Sequence, residues 1–364
     1  MWALPLDLHW QAKHNFRYFC CKYFRMQTIL VTGGTGYIGA HTIVDLIENG
    51  FEVISADNLS RSTIDSLKGV EKITGVKIKN YEIDLTDKKL TEEIFLAHKN
   101  ITGIIHFAAY KAVGESVEMP LDYYQNNISS LINLLQLAVK YNAKHFIFSS
   151  SCTVYGNPDI IPVTEQTPLK TAASPYGATK QMGETIVHDA AVAHPLSTIL
   201  LRYFNPVGAH PSIAIGELPI GRPQNLVPAI TQTAIGKLPK MQVHGNDYDT
   251  RDGSCIRDYI HVCDIAHAHT LALQLSIKEN KVNNTEIFNL GTGNGISVLE
   301  AIEAFEKVSG VKLNYEIGPR RAGDIMAIYA NNDYAVKKLG WHCKFDLNEM
   351  MRTAWEWEKT IAGK

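Results

Sequence analysis

The sequence lacks the charge imbalance by which proteins bind nucleic acids. Its 364 residues include 35 lysines and arginines against 37 aspartates and glutamates, so the formal net charge is −2. Proteins that neutralise the phosphates of DNA or RNA concentrate basic residues on one face instead. No apolar run approaches the length that spans a bilayer. We therefore expect neither a nucleic-acid partner nor a membrane segment.

Cysteines are also few, and their positions show no paired spacing. The chain has six, at Cys20, Cys21, Cys152, Cys255, Cys263 and Cys343. Small secreted proteins that are stabilised by disulfides contain a much higher proportion. A reducing, cytoplasmic environment is therefore the simpler expectation.

Possible metal ligands are grouped in one stretch of the chain, at His261, Cys263, His267 and His269. They fall in or beside residues 264–273, which have the pattern of an ordinary amphipathic helix. Because no complete metal-ligand spacing is present, we expect structural roles for these residues and no metal site.

The first 25 residues differ from the rest of the chain because they are aromatic and basic. They precede residues 26–30, which have the pattern of a first strand. The segment lacks the clean apolar run and small-residue cleavage site of a signal peptide, and Asp7 argues against a transit peptide. We expect a poorly ordered extension or a start codon assigned too early, while lipid attachment at Cys20 and Cys21 stays open.

Short apolar strand patterns alternate with helical stretches from residue 28 onward. The strand patterns occupy residues 28–32, 51–56, 103–107, 144–149 and 197–203. The first helical stretch, residues 37–49, ends before Gly50, a residue type common just after a helix. This alternation predicts an α/β protein with a parallel, doubly wound sheet that is covered on both faces.

Prolines interrupt this alternation after about residue 205. Five of them fall between residues 206 and 228, which predicts loops and short elements. We therefore expect a nucleotide-binding domain over residues 26–205, to which later parts of the chain could return. A smaller, less regular α/β substrate domain should occupy residues 206–364.

A glycine-rich segment joins the first strand pattern to the first helix. Residues 32–39, TGGTGYIG, place Gly33, Gly36 and Gly39 directly between the two elements. The first permits a tight turn, the second lets a pyrophosphate approach the backbone, and the third permits close helix–strand packing. In this register the pattern predicts a Rossmann-type dinucleotide-binding site.

An acidic residue stands where such a site recognises ribose. Asp57 follows the second strand pattern, and a carboxylate there accepts hydrogen bonds from a ribose 2′-hydroxyl and repels a 2′-phosphate. We therefore predict a preference for NAD over NADP. Arg61 is the one nearby residue that could soften this preference.

A tyrosine and a lysine four residues apart indicate catalysis at a carbinol carbon. Tyr176 and Lys180 would share one helix face, and Ser151 lies at the end of the strand pattern before them. A free phenol titrates at about pH 10 and is a poor base, so a neighbouring ammonium should lower its pKa. The serine hydroxyl would orient the reacting oxygen. The same spacing, without this context, recurs at Tyr18/Lys22 and Tyr334/Lys338.

Several motifs together resemble the extended short-chain dehydrogenase/reductase family and, within it, the UDP-galactose (UDP-glucose) 4-epimerases. They occupy residues 32–39, 106–116, 148–156, 174–177, 201–211, 245–248 and 257–262. The resemblance implies reversible inversion at C4 of a UDP-hexose through a transient 4-keto sugar, with NAD reduced and reoxidised in the same site. It also implies a homodimer in which helices near residues 123–141 and 176–193 pair across a two-fold axis.

The resemblance also assigns roles to individual residues. Tyr176 would be the base, Lys180 would bind the nicotinamide ribose and lower the tyrosine pKa, and Ser151 would orient the sugar 4-hydroxyl. Besides these three, NAD would contact Gly33, Gly36, Tyr37, Ile38, Gly39, Asp57, Asn58, Asp84, Leu85, Phe107, Ala108, Lys111, Asn126 and Phe204. Besides Ser151 and Tyr176, the UDP-sugar would contact Asn205, Asn225, Leu226, Gln242, His244, Arg257, Arg321, Asp324 and Ile328.

Structural alternatives stay open for some of these residues. Lys111 and Asn126 are compatible with surface and turn positions, and Asp84 with a helix cap. Arg257 and Arg321 are compatible with structural ion pairs. They also suit a pyrophosphate, because a guanidinium forms paired, charge-assisted hydrogen bonds.

Three residues depart from the epimerase pattern. Cys152 stands where alanine is common, and His244 stands where an aromatic ring is common. Members restricted to plain hexoses often carry tyrosine at the position of Ile328, while members that also accept N-acetylhexosamines carry a smaller residue. We therefore expect partial activity on UDP-N-acetylhexosamines.

Two other functions compete with C4 epimerisation. A nucleotide-sugar 4,6-dehydratase needs a further acid–base pair, and related enzymes carry Asp-Glu where Cys152 and Thr153 stand here. A non-catalytic, redox-sensing dinucleotide-binding protein would have no need for Ser151, Tyr176 and Lys180 together.

Overall fold

The structure, a computed structural model, describes residues 27–221, 223–321 and 324–363. The interpretation of residues 1–25 and the Tyr18/Lys22 spacing lie outside these ranges. Within them, no helix is long and apolar enough to cross a membrane.

Strands and helices are numbered in chain order. The strands are β1 (Thr28–Thr32), β2 (Glu52–Ala56), β3 (Asn80–Tyr81), β4 (Ile101–His106), β5 (His145–Ser151), β6 (Ser197–Tyr203), β7 (Asn205–Val207), β8 (Met241–His244), β9 (Ile256–His261), β10 (Asn284–Leu290), β11 (Gly295–Ser297), β12 (Tyr315–Gly318) and β13 (Ala327–Ile328). The helices are α1 (Tyr37–Glu48), α2 (Asp65–Thr74), α3 (Lys88–Ala97), α4 (Val113–Glu118), α5 (Pro120–Lys140), α6 (Pro175–Ala193), α7 (Leu226–Ala234), α8 (Val262–Glu279), α9 (Val298–Ser309), α10 (Asp333–Leu339) and α11 (Leu347–Ile361). A 3-10 turn, Cys152–Tyr155, follows β5.

The larger sheet has seven strands in the order β10-β6-β5-β4-β1-β2-β3, and every neighbouring pair is parallel. Successive residues of a strand point to opposite faces. Ile29 and Val31 accordingly join one apolar core, while Leu30 joins the other. Helices α1 and α8 cover the first face, and α5 and α6 cover the second. The prediction of a parallel, doubly wound α/β fold is confirmed.

The chain after residue 205 forms smaller sheets and also returns to the larger one. Strand β9 pairs with β7, β11 and β13, and β8 pairs with β12. Helices α7, α9 and α11 pack with these strands around a separate core that includes Ile230, Phe305 and Met351. By contrast, β10 pairs with β6, and α8 packs against α1. Strand β10 and helix α8 therefore lie with the larger sheet.

Candidate active site

The glycine loop forms a tight connection between β1 and α1. Gly33 has a φ of +71°, a region that favours glycine, and a Cβ there would lie 2.7 Å from the backbone nitrogen of Ala108. A Cβ on Gly39 would lie 2.2 Å from the carbonyl oxygen of Gly33. Helix α1 begins after Gly36 without a side-chain cap. Backbone amides at this helix end are therefore available to an anion such as a pyrophosphate.

The first two residues of α1 anchor the helix with their side chains. The phenol of Tyr37 donates a hydrogen bond to the carbonyl oxygen of Gly208 at 2.5 Å, and Ile38 packs against the core of the larger sheet. Burial raises the pKa of Tyr37 well above its ordinary value. Their backbone amides, rather than these side chains, are the groups suited to a pyrophosphate.

Asp57 lies at the end of β2, beside the glycine loop. Its carboxylate accepts hydrogen bonds from the backbone nitrogens of Thr35 at 3.3 Å and Leu59 at 3.0 Å, and from the Ser62 hydroxyl at 3.0 Å. The side chain of Asn58 accepts a hydrogen bond from the backbone nitrogen of Ser60 in the same turn. The three bonds to Asp57 hold its carboxylate beside the glycine loop.

Arg61 points away from this position. Its guanidinium donates to Glu115 at 2.8 Å and lies 4.8 Å from the ring centroid of Tyr110. These contacts engage the guanidinium of the one nearby residue that could soften a preference for NAD.

Asp84 and Leu85, the residues assigned to adenine, follow β3. Asp84 accepts hydrogen bonds from the backbone nitrogen and hydroxyl of Thr86, and the cap of α3 is Asp87. Asp84 therefore closes a turn and does not cap the helix. The Leu85 side chain is buried in the apolar core under α5.

Residues assigned to the nicotinamide half follow β4 and β6. Phe107 and Ala108 come directly after β4, and Phe204 comes directly after β6, where it is buried. Because β1, β4 and β6 are parallel members of one sheet, these residues and the glycine loop lie along the same edge.

Lys111 and Asn126 have protein partners in the structure. The Lys111 ammonium lies 3.5 Å from the carboxylate of Glu217, and 60% of its side chain is exposed. The Asn126 amide donates to the side chain of Asn127 at 2.9 Å. Glu217 also accepts a hydrogen bond from Asn225 at 2.7 Å, so it contacts residues assigned to the cofactor and to the substrate.

The structure brings Ser151, Tyr176 and Lys180 together in a buried cluster. Ser151 ends β5, and α6 begins at Pro175, where the Ser174 hydroxyl accepts a hydrogen bond from Gly177. One turn into α6, the Lys180 ammonium donates to the carbonyl oxygen of Ser149 at 2.6 Å. The Ser151 side chain lies close enough to the phenol of Tyr176 to lower its pKa. The strand-end serine and the first turns of α6 thus lie side by side.

The pKa of Tyr176 moves opposite to the sequence-based expectation. Burial raises it to about 12, and the neighbouring Ser151 only partly opposes this shift. Burial also lowers the pKa of Lys180 to about 8, against the attraction of Glu184. The Lys180 ammonium lies 5.8 Å from the Tyr176 ring centroid. Desolvation of the phenol is the largest cause of the shift, so the protein alone keeps the phenol protonated at neutral pH.

The other described Tyr-x-x-x-Lys pair lies on the surface. The Tyr334 hydroxyl donates to Glu286, and the Lys338 ammonium donates to Glu279, each at 2.8 Å. The spacing alone therefore has no catalytic meaning.

Two arginines assigned to the UDP-sugar lie beside one carboxylate. Asp324 accepts a hydrogen bond from Arg321 at 2.7 Å and lies 3.7 Å from the Arg257 guanidinium. Arg257 also donates to the carbonyl oxygen of Ile325 at 2.6 Å. A pyrophosphate would approach the same two guanidinium groups. Their ion pairing with Asp324 is therefore compatible with ligand binding.

The remaining substrate residues lie on short elements. Asn205 begins β7, Leu226 begins α7, and Gln242 and His244 belong to β8. Ile328, in β13, is buried in a cluster with Cys152 and Phe204.

Sequence reasoning missed several buried polar residues next to this site. Ser150 donates to Glu184, and Arg202 forms an ion pair with the same carboxylate. Glu184 lies one helical turn beyond Lys180, so helical spacing could have indicated it. Glu217 gave no comparable signal, because its partners are remote in sequence.

A parallel sheet with a glycine loop and a buried serine–tyrosine–lysine cluster defines the class of Rossmann-type, dinucleotide-dependent enzymes. The family model described as GDP-mannose 4,6 dehydratase matches residues 30–354. The chain is 50% identical over 333 residues to the UDP-glucose 4-epimerase of Yersinia enterocolitica, a match that covers 91% of this chain and 97% of that protein.

Solved structures agree with this match. The UDP-glucose-4-epimerase from Stenotrophomonas maltophila with bound NAD and formylated UDP-arabinopyranose has a TM-score of 0.89 and 44% identity, over 93% of this chain and 99% of that chain. The UDP-glucose 4-epimerase from Bifidobacterium longum in complex with NAD+ and UDP has a TM-score of 0.88 and 46% identity, over 92% and 98%. The chain belongs to the UDP-glucose 4-epimerase family.

Proposed function

We propose that this chain interconverts UDP-glucose and UDP-galactose by inverting C4 of the hexose, with NAD as its cofactor. The observation that carries the proposal is the buried cluster of Ser151, Tyr176 and Lys180 at the sheet edge that also presents the glycine loop. Relatives that match nearly the whole chain are UDP-glucose 4-epimerases, and the two solved structures hold NAD.

The residues around the glycine loop fit NAD. Gly33 and Gly39 leave no room for a side chain, and the amino end of α1 has no side-chain cap. Asp57 would bind the adenosine ribose and disfavour a 2′-phosphate. Bound NAD would accept a hydride from C4 and return it, and its positive charge would favour the Tyr176 phenolate.

Proton transfer is the part of the reaction that the protein's own residues perform. Tyr176 would take the proton of the sugar 4-hydroxyl while Ser151 holds that oxygen by a hydrogen bond. The 4-keto sugar would rotate in the pocket and present its opposite face. Tyr176 would return the proton once that face has been reduced. Lys180 would bind the nicotinamide ribose. Because one tyrosine takes and returns the proton, the net reaction needs no further acid or base.

The later half of the chain would hold the nucleotide. Arg257 and Arg321, which both lie beside the Asp324 carboxylate, would bind the pyrophosphate through paired, charge-assisted hydrogen bonds. Other residues would complete the substrate contacts, namely Asn205, Asn225, Leu226, Gln242 and His244.

The match to the GDP-mannose 4,6 dehydratase family raises elimination of water as an alternative, and the residues after Ser151 argue against it. Such an elimination needs a further acid–base pair. Burial raises the pKa of the Cys152 thiol to about 12, and Thr153 carries no carboxyl group. Inversion without loss of water is the reaction that these residues support.

Turnover of UDP-galactose by purified protein, without added NAD, tests the proposal. We expect UDP-glucose to appear by chromatography. Tyr176→Phe should lower kcat by about 10²- to 10⁴-fold while NAD stays bound, because the ring keeps its shape but cannot transfer a proton. Tyr334→Phe, in the surface pair of the same spacing, is the matched control and should keep full activity. No turnover by NAD-loaded protein would favour the non-catalytic alternative.

We also propose partial activity on UDP-N-acetylhexosamines. Ile328 is smaller than tyrosine and lacks its hydroxyl, and it packs beside Cys152, the residue next to Ser151. Turnover of UDP-N-acetylglucosamine in the same assay tests this activity directly.

We further propose a homodimer in the cytoplasm. Helices α5 and α6 pack together and expose apolar side chains, namely Leu121, Ile132, Met182 and Val192. A two-fold contact would cover them. The described cysteines are free, which is consistent with a reducing compartment.

Light scattering after size-exclusion chromatography tests the dimer. Wild-type protein should show twice the monomer mass, and Leu121→Asp/Met182→Asp should shift it to the monomer mass. Leu96→Asp, which changes an exposed leucine on α3, is the control and should leave the mass unchanged.

A further inference from the structure

A buried ion pair lies directly behind the strand-end serines. Arg202 on β6 donates to Glu184 on α6 by two hydrogen bonds, from Nε at 2.8 Å and from Nη2 at 2.6 Å. Only 3% of the arginine side chain and 7% of the glutamate side chain are exposed. Buried pairs often add little stability over apolar side chains of similar volume. A stabilising role therefore does not follow from the burial of this pair.

A second set of buried groups fixes the pair from the far side. Arg202 Nη1 donates to the Tyr155 hydroxyl at 3.0 Å, and that hydroxyl donates to the Asn289 side chain at 2.6 Å. The Asn289 backbone nitrogen donates to Glu165 at 2.8 Å. Arg202 is thus held in place, and with it the orientation of the Glu184 carboxylate.

Two hydrogen bonds tie the end of β5 to α6. The Ser150 hydroxyl donates to Glu184 Oε1 at 2.5 Å, and the Lys180 ammonium donates to the carbonyl oxygen of Ser149 at 2.6 Å. Glu184 and Lys180 are four residues apart, so they lie on one face of the helix. The two bonds therefore hold consecutive residues of β5, and Ser151 is the next residue along it.

We propose that Glu184 is a positioning residue: held by Arg202, its carboxylate fixes the serine end of β5 against α6 and thereby sets the spacing between Ser151 and Tyr176. The inference rests on the proposed function for what that spacing serves. Proton transfer requires hydrogen-bond distances, and a misplacement of about 1 Å can cost about 10²-fold in rate.

Glu184 also acts on the charge of Lys180. Burial lowers the pKa of Lys180 to about 8, and the Glu184 carboxylate opposes that shift. Other charged or titratable groups packed around these residues include His106 on β4, Tyr176 on α6, Arg202 and Tyr203 on β6, and Cys152 in the 3-10 turn. Loss of the Glu184 charge should lower the Lys180 pKa further. The alkaline limb of the pH profile of kcat should then move to lower pH.

Three variants of the NAD-loaded protein separate positioning from stability. Glu184→Gln removes the charge, and Ser150→Ala breaks only the bond to β5. The double variant Glu184→Met/Arg202→Met replaces the pair with apolar groups, which should preserve most of the free energy of unfolding. We expect each to lower kcat by about 10- to 100-fold, with KM changed by less than about twofold. The two variants without the Glu184 charge should also shift the alkaline limb.

Glu358→Gln is the matched control, because Glu358 is also a buried carboxylate with a basic partner, Lys237 at 2.6 Å. Glu358 lies on α11, which packs on the core that includes Ile230, Phe305 and Met351. The Glu358→Gln variant should therefore be less stable than the wild type but keep its kcat and pH profile. Wild-type kcat and an unmoved alkaline limb in the folded double variant would overturn the proposal.

The effect of the Glu184 charge on the Lys180 pKa can be measured without any turnover of substrate. This measurement therefore does not depend on the proposed function. The pKa of Lys180 is measured by NMR on lysine-labelled, NAD-loaded wild type and Glu184→Gln. A lower value in the variant supports the role of Glu184 even if UDP-galactose is not a substrate. An unchanged value would count against it.

Discussion

The two halves of the molecule hold their candidate site residues in different ways. In the half built on the larger sheet, several such residues come directly at the ends of buried parallel strands, as Gly33 does after β1 and Ser151 does at the end of β5. In the later half they lie on loops and short strands and bond to other polar side chains, as Arg321 does to Asp324. The backbone therefore fixes the site residues of the larger-sheet half. Side-chain contacts fix those of the later half, and a ligand must replace or extend these contacts.

The larger-sheet half should lose stability first in acid. Burial lowers the pKa of four of its histidines to about 3 or about 4, namely His41, His106, His145 and His269. Unfolded histidines titrate at about 6.5, so the unfolded chain binds more protons below that pH. Stability should be full above 6.5 and fall toward pH 4, by about 5 kcal/mol per pH unit for the four together. The later half adds His261 to this effect.

Urea unfolding at pH 7, 6 and 5, with hydrogen exchange read strand by strand, measures this loss. Exchange in β4 and β5 should rise before exchange in β8. His145→Gln should make the pH dependence shallower, and His188→Gln, at an exposed position on α6, should not. Equal acid sensitivity of the two halves would break the comparison.

One methyl group in the glycine loop should have the next largest effect. A Cβ on residue 39 would lie 2.2 Å from the Gly33 carbonyl oxygen, so Gly39→Ala must move α1 away from β1. Overpacking of this kind costs about 1–3 kcal/mol of free energy. It should therefore weaken NAD binding by about 10- to 100-fold. Fluorescence titration with NAD measures it. Gly114→Ala is the control, because a Cβ there meets nothing within 4 Å, and it should bind NAD normally.

The same contrast explains what could be predicted from the sequence. Apolar strand patterns and glycine spacing are local, so the sequence predicted β1 and β6 at their observed bounds. The predicted direction of the Tyr176 pKa shift was wrong. The shift arises from burial of the phenol, which depends on how β5, β6 and α6 pack together. Glu217 was missed since its contact with Lys111 joins distant segments. The UDP-sugar contacts rest on a family resemblance, because short irregular elements carry no periodic signal.

In the later half, loss of one guanidinium should weaken substrate binding and spare the cofactor. Arg257→Met should raise KM for UDP-galactose by about 10- to 100-fold, since a charge-assisted hydrogen bond contributes about 1.5–3 kcal/mol. Initial rates and NAD titration measure the two effects separately. Arg320→Met is the control, because Arg320 bonds to Asp247 at 2.7 Å on the surface. Loss of NAD binding in Arg257→Met would show that the two halves do not act independently.

The smallest effect is expected at Ile328, where residues of both halves share one core. Ile328 is 3% exposed and packs with Cys152 and Phe204, so its volume shapes the wall behind Ser151. In the epimerase pattern that this chain resembles, alanine is common at position 152, and members restricted to plain hexoses often carry tyrosine at position 328. Cysteine and isoleucine here therefore partly offset each other in volume. Cys152→Ala/Ile328→Tyr should therefore fold and lower kcat/KM for UDP-N-acetylglucosamine, relative to UDP-galactose, by about 10-fold.

Single variants separate volume from selectivity at this wall. Ile328→Tyr alone should cost about 1–3 kcal/mol of stability through overpacking, and Cys152→Ala alone should leave the ratio of the two substrates unchanged. Competition assays with both sugars give that ratio directly. If wild-type protein at high concentration turns over no UDP-N-acetylglucosamine, the proposed N-acetylhexosamine activity is wrong. If the double variant keeps the wild-type ratio, the loops of the later half select the sugar, and the shared core does not.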